Sequence, residues 1–439
     1  MPSAPTVPGP LPAAAPARPS LRSNVFWTIS GYAVYMACQW AMLVVVARLG
    51  SPEKLGELAL GLALSAPVIL FTNLGLRKVQ VTDVHGQFQF GDYLGLRLLM
   101  TALALAIVAG IAVGARPDAS AGAAIFAVGL SKAVEATSDV VYGVLQQGER
   151  MELIAASLCL RGVLSVAVLG AGMALTRDVA TGMFGVSAAW MAVLLLHDMP
   201  RAKRVLAGLG GGRFRPRWSG RTLGKLALLA LPLGIVTPMV ALTSSVPAVL
   251  IEKLRGPGEL GIYTALAYAY AAANRVSSAM GEAASARLAS YYARGERRPF
   301  ARVLGKLLLL AGTVGAAGLV LALTAGRPLL RLFYGPAYGE HSDILVGFML
   351  AAIAGNLACV LDYSMTAMRR LRIQPLLAGG AVLVLAALCR HLIPSLGLRG
   401  AVLALGGVAV LQGAATLAVV AKGWSRFPPL AGRLAPGEA

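Results

Sequence analysis

Apolar residues come along this chain in twelve nearly unbroken runs, at about 24–47, 58–76, 92–114, 121–144, 153–175, 179–197, 224–250, 260–284, 303–325, 344–367, 375–396 and 400–421. An α-helix needs about 20 such residues to cross the roughly 30 Å hydrocarbon core of a bilayer. The pattern therefore predicts an all-α polytopic membrane protein of about twelve transmembrane helices. Composition agrees: of 439 residues, 57% are hydrophobic and 13% charged, where soluble domains carry about 25% charged residues.

The polar stretches between the runs set the organisation. Residues 1–22 hold seven prolines and no apolar run, the composition of a disordered tail. The longest interior polar segment, from His197 to Arg221, carries seven basic residues and Gly210-Gly211-Gly212. It divides the chain into a lobe at 23–197, a basic inter-lobe loop at 198–222, a second lobe at 223–422 and a tail at 423–439. Six spans per half give both halves the same orientation, which predicts a parallel pseudo-two-fold repeat about an axis along the membrane normal. A trace of it survives, since Leu49, Pro52, Leu55 and Gly56 recur 205 positions later as Leu254, Pro257, Leu260 and Gly261.

Charge then orients the chain. The net charge of +20 would suit nucleic acid only on a solvated basic face, and here the basic residues fall between apolar runs, so no nucleic acid is expected. Of 39 Lys and Arg, 25 go with one set of alternate loops and both tails and 10 with the opposite loops, counting Lys225, Lys306 and Arg390 with the loops that their runs adjoin; the remaining four are counted inside the runs. Positive loops stay in the cytoplasm, so both termini and the inter-lobe loop are expected there.

Catalytic signatures are missing. Gly224-Lys225-Leu226 and Gly305-Lys306-Leu307 lack the Ser or Thr that holds magnesium in a phosphate loop. His85, His197, His341 and His391 are scattered, and Cys38, Cys159, Cys359 and Cys389 sit inside apolar runs without a CxxC pair. No cofactor, metal or disulfide is expected, and the protein reads as a non-enzyme. A glycan polymerase or ligase, the reading from another class, would carry a large external loop; all of these are short.

What remains informative is charge inside the runs, because each ionisable side chain there costs several kcal/mol unless it meets a partner or water. At 1.5 Å per residue, Lys132, Arg161 and Arg275 lie roughly 16, 13 and 14 Å inside their spans, near the midplane, and Arg97 only about 8 Å inside, within snorkelling reach. Lys132, Glu135 and Asp139, at i, i+3 and i+7, share one helical face. Two readings fit. Either Lys132, Arg161, Arg275 and Arg97 are cavity cations that bind an anionic cargo while Glu135 or Asp139 carries a coupling ion, or Lys132–Glu135 and Glu135–Arg161 pairs merely join helices. Asp362 and Glu282 read as solvated charges near the inner surface. Gly110 and Gly114 read as close helix packing, and Pro67, Pro232, Pro238 and Pro247 as helix breaks or kinks.

Three segments resemble a known family. Leu49-Gly-Ser-Pro-Glu-Lys-Leu-Gly56 followed by Asn73-Leu-Gly-Leu-Arg77, then Leu329-Leu-Arg-Leu-Phe-Tyr-Gly-Pro-Ala-Tyr338 and Gly397-Leu-Arg-Gly-Ala401, are similar to landmarks of bacterial polysaccharide transporters. These are the O-antigen and exopolysaccharide flippases of the multidrug/oligosaccharidyl-lipid/polysaccharide flippase superfamily. The resemblance spans Ser23 to Lys422. It implies twelve helices in two lobes around a central cavity, alternating access, and a bacterial inner-membrane location. The implied substrate is a polyprenyl-diphosphate-linked oligosaccharide, with membrane lipids and polysaccharide polymerase machinery as partners. A multidrug extruder is the rival within the superfamily; often such a protein carries an acid in its first helix, and the first run here, Asn24 to Ala47, has none.

Overall fold

The computed structural model describes residues 21–425 and Phe427, apart from 84–85, 115–118, 211–212 and 371–372. The expected disordered tail before residue 21, the last twelve residues, and two of the three linker glycines lie outside the described residues. The first half of the chain folds as α1 (Leu21–Leu49), α2 (Pro52–Asn73), α3 (Leu76–Thr82), α4 (Phe90–Gly114), α5 (Ala119–Gln147), α6 (Met151–Thr176) and α7 (Val179–Val193). A π turn, Leu194–Asp198, leads from α7 into α8 (Met199–Gly208). The second half folds as α9 (Gly220–Arg255), α10 (Pro257–Ala293), α11 (Arg297–Phe333), the single turn α12 (Pro336–Gly339), α13 (Ser342–Ala367), α14 (Gln374–Leu396) and α15 (Leu398–Ser425). All twelve apolar runs are helical, the second apart from Leu74 and Gly75.

Ten of the helices are long and apolar enough to cross a membrane, and the chain is a multi-pass membrane protein. α5 and α10 have the length but not the hydropathy. Their interiors carry Lys132, Glu135 and Asp139 in one, and Arg275, Glu282 and Arg287 in the other. A helix this polar is stable at membrane depth only where its charges face protein or water, and both helices pack on α2, which stands at the junction of the lobes.

The two halves repeat one another in backbone as well as in sequence. Two residues beyond α5 and α13 stand Glu149 (φ 57) and Arg369 (φ 56), both with positive φ, and α6 and α14 are each closed by a residue of positive φ, Arg177 (φ 54) and Gly397 (φ 57), which differ in ψ. Each pair is 220 positions apart. At the start of the lobes the offset is 205, and there the two copies touch each other. A Cβ on Gly56 would lie 2.0 Å from the Pro257 carbonyl oxygen, and one on Gly261 would lie 1.9 Å from that of Pro52. Such reciprocal contact, copy one on copy two and the reverse, is what a two-fold axis between like surfaces produces.

The loops at residues 50–51, 177–178, 256, 334–341 and 397 gather at this hairpin end of the molecule, and the inter-lobe linker lies at the opposite, linker end. The lobes are joined at the hairpin end. Arg48 donates to the carbonyls of Arg331, Leu332 and Phe333, the last of α11. Trp40 donates its indole N–H to the Tyr334 hydroxyl at 2.9 Å, and Tyr268 donates to the Met36 carbonyl at 2.9 Å. Toward the linker end a cavity of about 430 Å³ remains between Lys78, Thr82, Asp83 and Tyr93 on one side and Leu229 and Leu233 of α9 on the other. Asp83 organises its rim. Burial raises the carboxyl's pKa, but the N–H groups of Gln87 and Phe88 and the Tyr93 hydroxyl outweigh this and hold it below the usual range.

Several local expectations change. α2 and α9 run unbroken through Pro67, Pro232, Pro238 and Pro247, each missing N–H being absorbed as a local loss within a long helix. The break comes instead between α2 and α3, where Leu74 (φ 52) and Gly75 (φ 58) both adopt the left-handed conformation. Gly110 and Gly114 have nothing within 4 Å of where a Cβ would stand, so their spacing packs against no other part of the described chain. Residues 199–208, expected as loop, are helix: Pro200 stands in its first turn, where a missing N–H is harmless. Asp362 is not a solvated surface charge. It lies partly buried between α13 and α15, accepting from Thr416 Oγ1 at 2.8 Å and Gln412 Nε2 at 3.1 Å, with no ion pair among the described residues.

Candidate functional site

The charges of the first lobe gather along one face of α5. Lys132 Nζ donates to Glu135 Oε2 at 2.8 Å, and the Tyr35 hydroxyl of α1 donates to the other oxygen at 2.8 Å. One turn on, Asp139 takes Arg77 of α3 at 3.3 Å, and Arg77 Nε also reaches Gln146 Oε1 at 2.9 Å. Another turn brings Tyr142, whose ring lies between two guanidinium groups, Arg161 at 5.5 Å and Arg77 at 5.7 Å. The Lys132 ammonium in turn stands 5.6 Å from the centre of the Trp190 ring on α7. Helical spacing accounts for the order, since 132, 135, 139 and 142 advance by three or four residues and so stay on one stripe.

Arg161 belongs to the same cluster but is closed off. Its partner is Asp198 at 2.8 Å, with side-chain exposures of 2% and 0%, and Ser138 accepts a second hydrogen bond from the same nitrogen. The π turn puts one extra residue into the last turn of α7 and carries Asp198 inward, where it also meets His197 Nδ1 at 3.0 Å. By contrast Lys132, Glu135 and Asp139 keep 25%, 36% and 28% of their side-chain surface, and Arg77 keeps 16%. Lys132 borders a cavity of about 30 Å³ between α1, α2, α5 and α7, together with Gln39, Ser131 and Trp190. That is space for a water or two, and the Gln39 amide nitrogen, buried without a partner, would hold one. A diphosphate does not fit until the helices move.

Arg97 lies elsewhere. Instead of snorkelling it turns inward, 1% exposed, onto the carbonyls of Thr72 and Asn73 and the Asn73 side chain. These are the orphaned C-terminal carbonyls of α2, left unbonded by the Leu74–Gly75 break, and a guanidinium also suits the negative end of that helix. Arg97→Met should strand them, at about 1–3 kcal/mol for each buried group left unpaired. Thermal unfolding of the detergent-solubilised variant is expected well below wild type; an unchanged midpoint would remove Arg97 from this role. Arg275, on α10, is exposed and makes no ion pair among the described residues.

Thus Lys132, Glu135, Asp139 and Arg161 come together, while Arg97 and Arg275 stand apart. Two members escaped the sequence reading. Arg77 falls just beyond the second apolar run, 58–76, and nothing in the apolar pattern marks the break in that run. Asp198 falls at the start of the inter-lobe loop, 198–222, beyond the sixth apolar run. The signal for it was present: Arg161 at mid-depth requires an acid, and Asp198 closes the one neighbouring run without another.

The second lobe has no copy of this stripe. At the 220-residue offset, Lys132, Glu135 and Asp139 correspond to Ala352, Gly355 and Cys359. The backbone is two-fold, the chemistry one-sided.

No protein-family model matches the chain. It is 23% identical over 310 residues, 70% of its length and 76% of the other's, to the capsular polysaccharide biosynthesis protein CapF of Staphylococcus aureus. Among solved structures it is similar to the inward-facing conformation of a multidrug resistance MATE family transporter of the MOP superfamily, with a TM-score of 0.72, 12% identity, and coverage of 93% of this chain and 100% of that one. It is also similar to the lipid II flippase MurJ in an inward closed conformation, with a TM-score of 0.71, 11% identity, and coverage of 92% and 90%. The chain therefore has the two-lobed fold of these transporters, as the resemblance at the sequence level implied.

Proposed function

We propose that the protein is a flippase for a polyprenyl-diphosphate-linked oligosaccharide, a repeat unit of a cell-surface polysaccharide, in the bacterial inner membrane, working by alternating access with its linker end in the cytoplasm. One observation carries the reading. Along the charged face of α5, at membrane depth, stand two part-exposed cations, Lys132 of α5 and Arg77 of α3, each held by a carboxylate of α5. In the resting lobe Glu135 and Asp139 act as stand-ins for the phosphates, since opposite charges at low dielectric must be paired. An incoming diphosphate takes over the cations, and the displaced acids are then free to take up protons. This couples cargo entry to proton binding without any further site. Arg161, locked to Asp198, holds α6 to the end of α7 behind the stripe, and Arg275, exposed on α10, is a second contact for the headgroup. The relationship to CapF supports the polysaccharide cargo, and the likeness to MurJ supports a lipid-linked one.

A cation-coupled multidrug extruder of the same fold is the second reading, favoured by the likeness to the MATE transporter. Part-exposed cations at the site speak against a cationic drug. The test is a pair of variants. Lys132→Ala and Arg77→Ala are expected to remain abundant, because their partners are part-exposed, and to reduce glycan export tenfold or more; adding Glu135→Gln to Lys132→Ala should leave export low. Recovery of export in that double variant would mean that Lys132 only neutralises Glu135. Efflux of cationic dyes by the purified protein in vesicles, with glycan export intact in cells lacking it, would establish the extruder.

A further inference from the structure

We propose that the inter-lobe linker is a docked strap that limits how far the two lobes separate at the linker end. Residues 213–217 do not hang between the lobes. They lie along the first two turns of α4, where Arg217 N–H donates to the Gly91 carbonyl at 2.8 Å and the Phe214 ring stacks on Phe90 at 4.5 Å. Beneath them the helix is flattened by two glycines four residues apart. A Cβ on Gly91 would stand 2.5 Å from the Arg215 carbonyl oxygen, and one on Gly95 would stand 2.3 Å from that of Arg217. The three nearest atoms to each of these two positions all belong to the strap. Asp92, only 3% exposed at its side chain, faces the Arg217 guanidinium at 3.6 Å.

The consequence is one of reach. Between Gly208 at the end of α8 and Gly220 at the start of α9 there are twelve residue steps, which free chain could stretch to about 40 Å at 3.3–3.6 Å per step. With the strap docked, only the three steps from Arg217 to Gly220 are free, or about 10 Å. The start of α9 then stays near α4 whatever the lobes do, and the linker end opens away from that edge.

Spin labels at Lys203 of α8 and Arg298 of α11, both exposed, in a variant with Cys38, Cys159, Cys359 and Cys389 changed to alanine, read this separation without any cargo. Two changes lift the limit by different routes. Gly95→Leu displaces the strap, and a six-residue Gly-Ser insertion between Trp218 and Ser219 leaves it docked but adds up to about 20 Å of reach. Both are expected to extend the label distances beyond the wild-type range, by on the order of 10 Å. A Phe90→Cys, Phe214→Cys disulfide, which locks the strap, should leave the wild-type distribution intact. Unchanged distances in the insertion variant, or a distribution collapsed by the disulfide, would overturn the proposal; the insertion decides the matter if Gly95→Leu fails to fold. Neither result depends on what the protein carries.

Discussion

Arg161→Ala should remove most of the folded protein from the membrane. The substitution leaves Asp198 as a fully buried charge, with His197 as its remaining partner, and breaking a buried pair from one side costs about 3–5 kcal/mol. That is a large part of the 5–15 kcal/mol by which proteins are stable. Abundance and the unfolding midpoint in detergent should fall together. The double change Arg161→Met, Asp198→Leu removes both charges and should recover folding, since a buried pair replaced by apolar residues of similar size is often neutral. If Arg161→Ala is as abundant as wild type and has lost only export, the guanidinium serves the cargo rather than the lobe, and its closed geometry belongs to one state of the transport cycle.

Gly56→Val is expected to act at the opposite end of the molecule and on movement rather than stability. The Cβ it adds has 2.0 Å to the Pro257 carbonyl oxygen, well inside van der Waals contact, and that obstacle is backbone, so the two hairpins must part. The three atoms nearest to that Cβ are all in Pro257, across the junction. The lobes should therefore fold but fail to close at the hairpin end, and export should drop by tenfold or more. A closure readout independent of cargo is available at Tyr334, 6% exposed against Trp40. Tyr334→Cys should resist water-soluble maleimide on its own and be labelled readily with Gly56→Val added. Gly261→Val should behave alike, because the contact is reciprocal. Full protection of the cysteine in both double variants would mean that the hairpins are not the closing surface.

Much of the architecture was legible beforehand because the bilayer constrains sequence so strongly. Twenty apolar residues in a row have one stable form in lipid, a helix with every backbone group bonded internally, and twelve such runs stand as twelve long helices. The repeat was legible for a related reason. Pro52 and Gly56, with Pro257 and Gly261, meet at the pseudo-axis, where no side chain fits, so the match at an offset of 205 survived while most of the rest of the two halves diverged.

Of the site, the sequence by itself determined which residues were out of place in hydrocarbon: Arg97, Lys132, Arg161 and Arg275, and the stripe shared by Lys132, Glu135 and Asp139. Depth along a helix follows from counting residues, and a common face from 3.6 residues per turn. Partners do not, because pairing depends on rotation and packing between helices distant in sequence. Only the tertiary structure decided that Asp198, carried inward by a π turn, closes on Arg161. The same holds for the broken second helix, which turns its orphaned carbonyls to Arg97 and brings Arg77 down to Asp139, and for the segment at 213–217, which lies against Gly91 and Gly95. For the charges and the orphaned carbonyls the deciding cost is a group that lipid cannot solvate, and the group that meets it comes from whichever helix the fold has placed within about 3 Å.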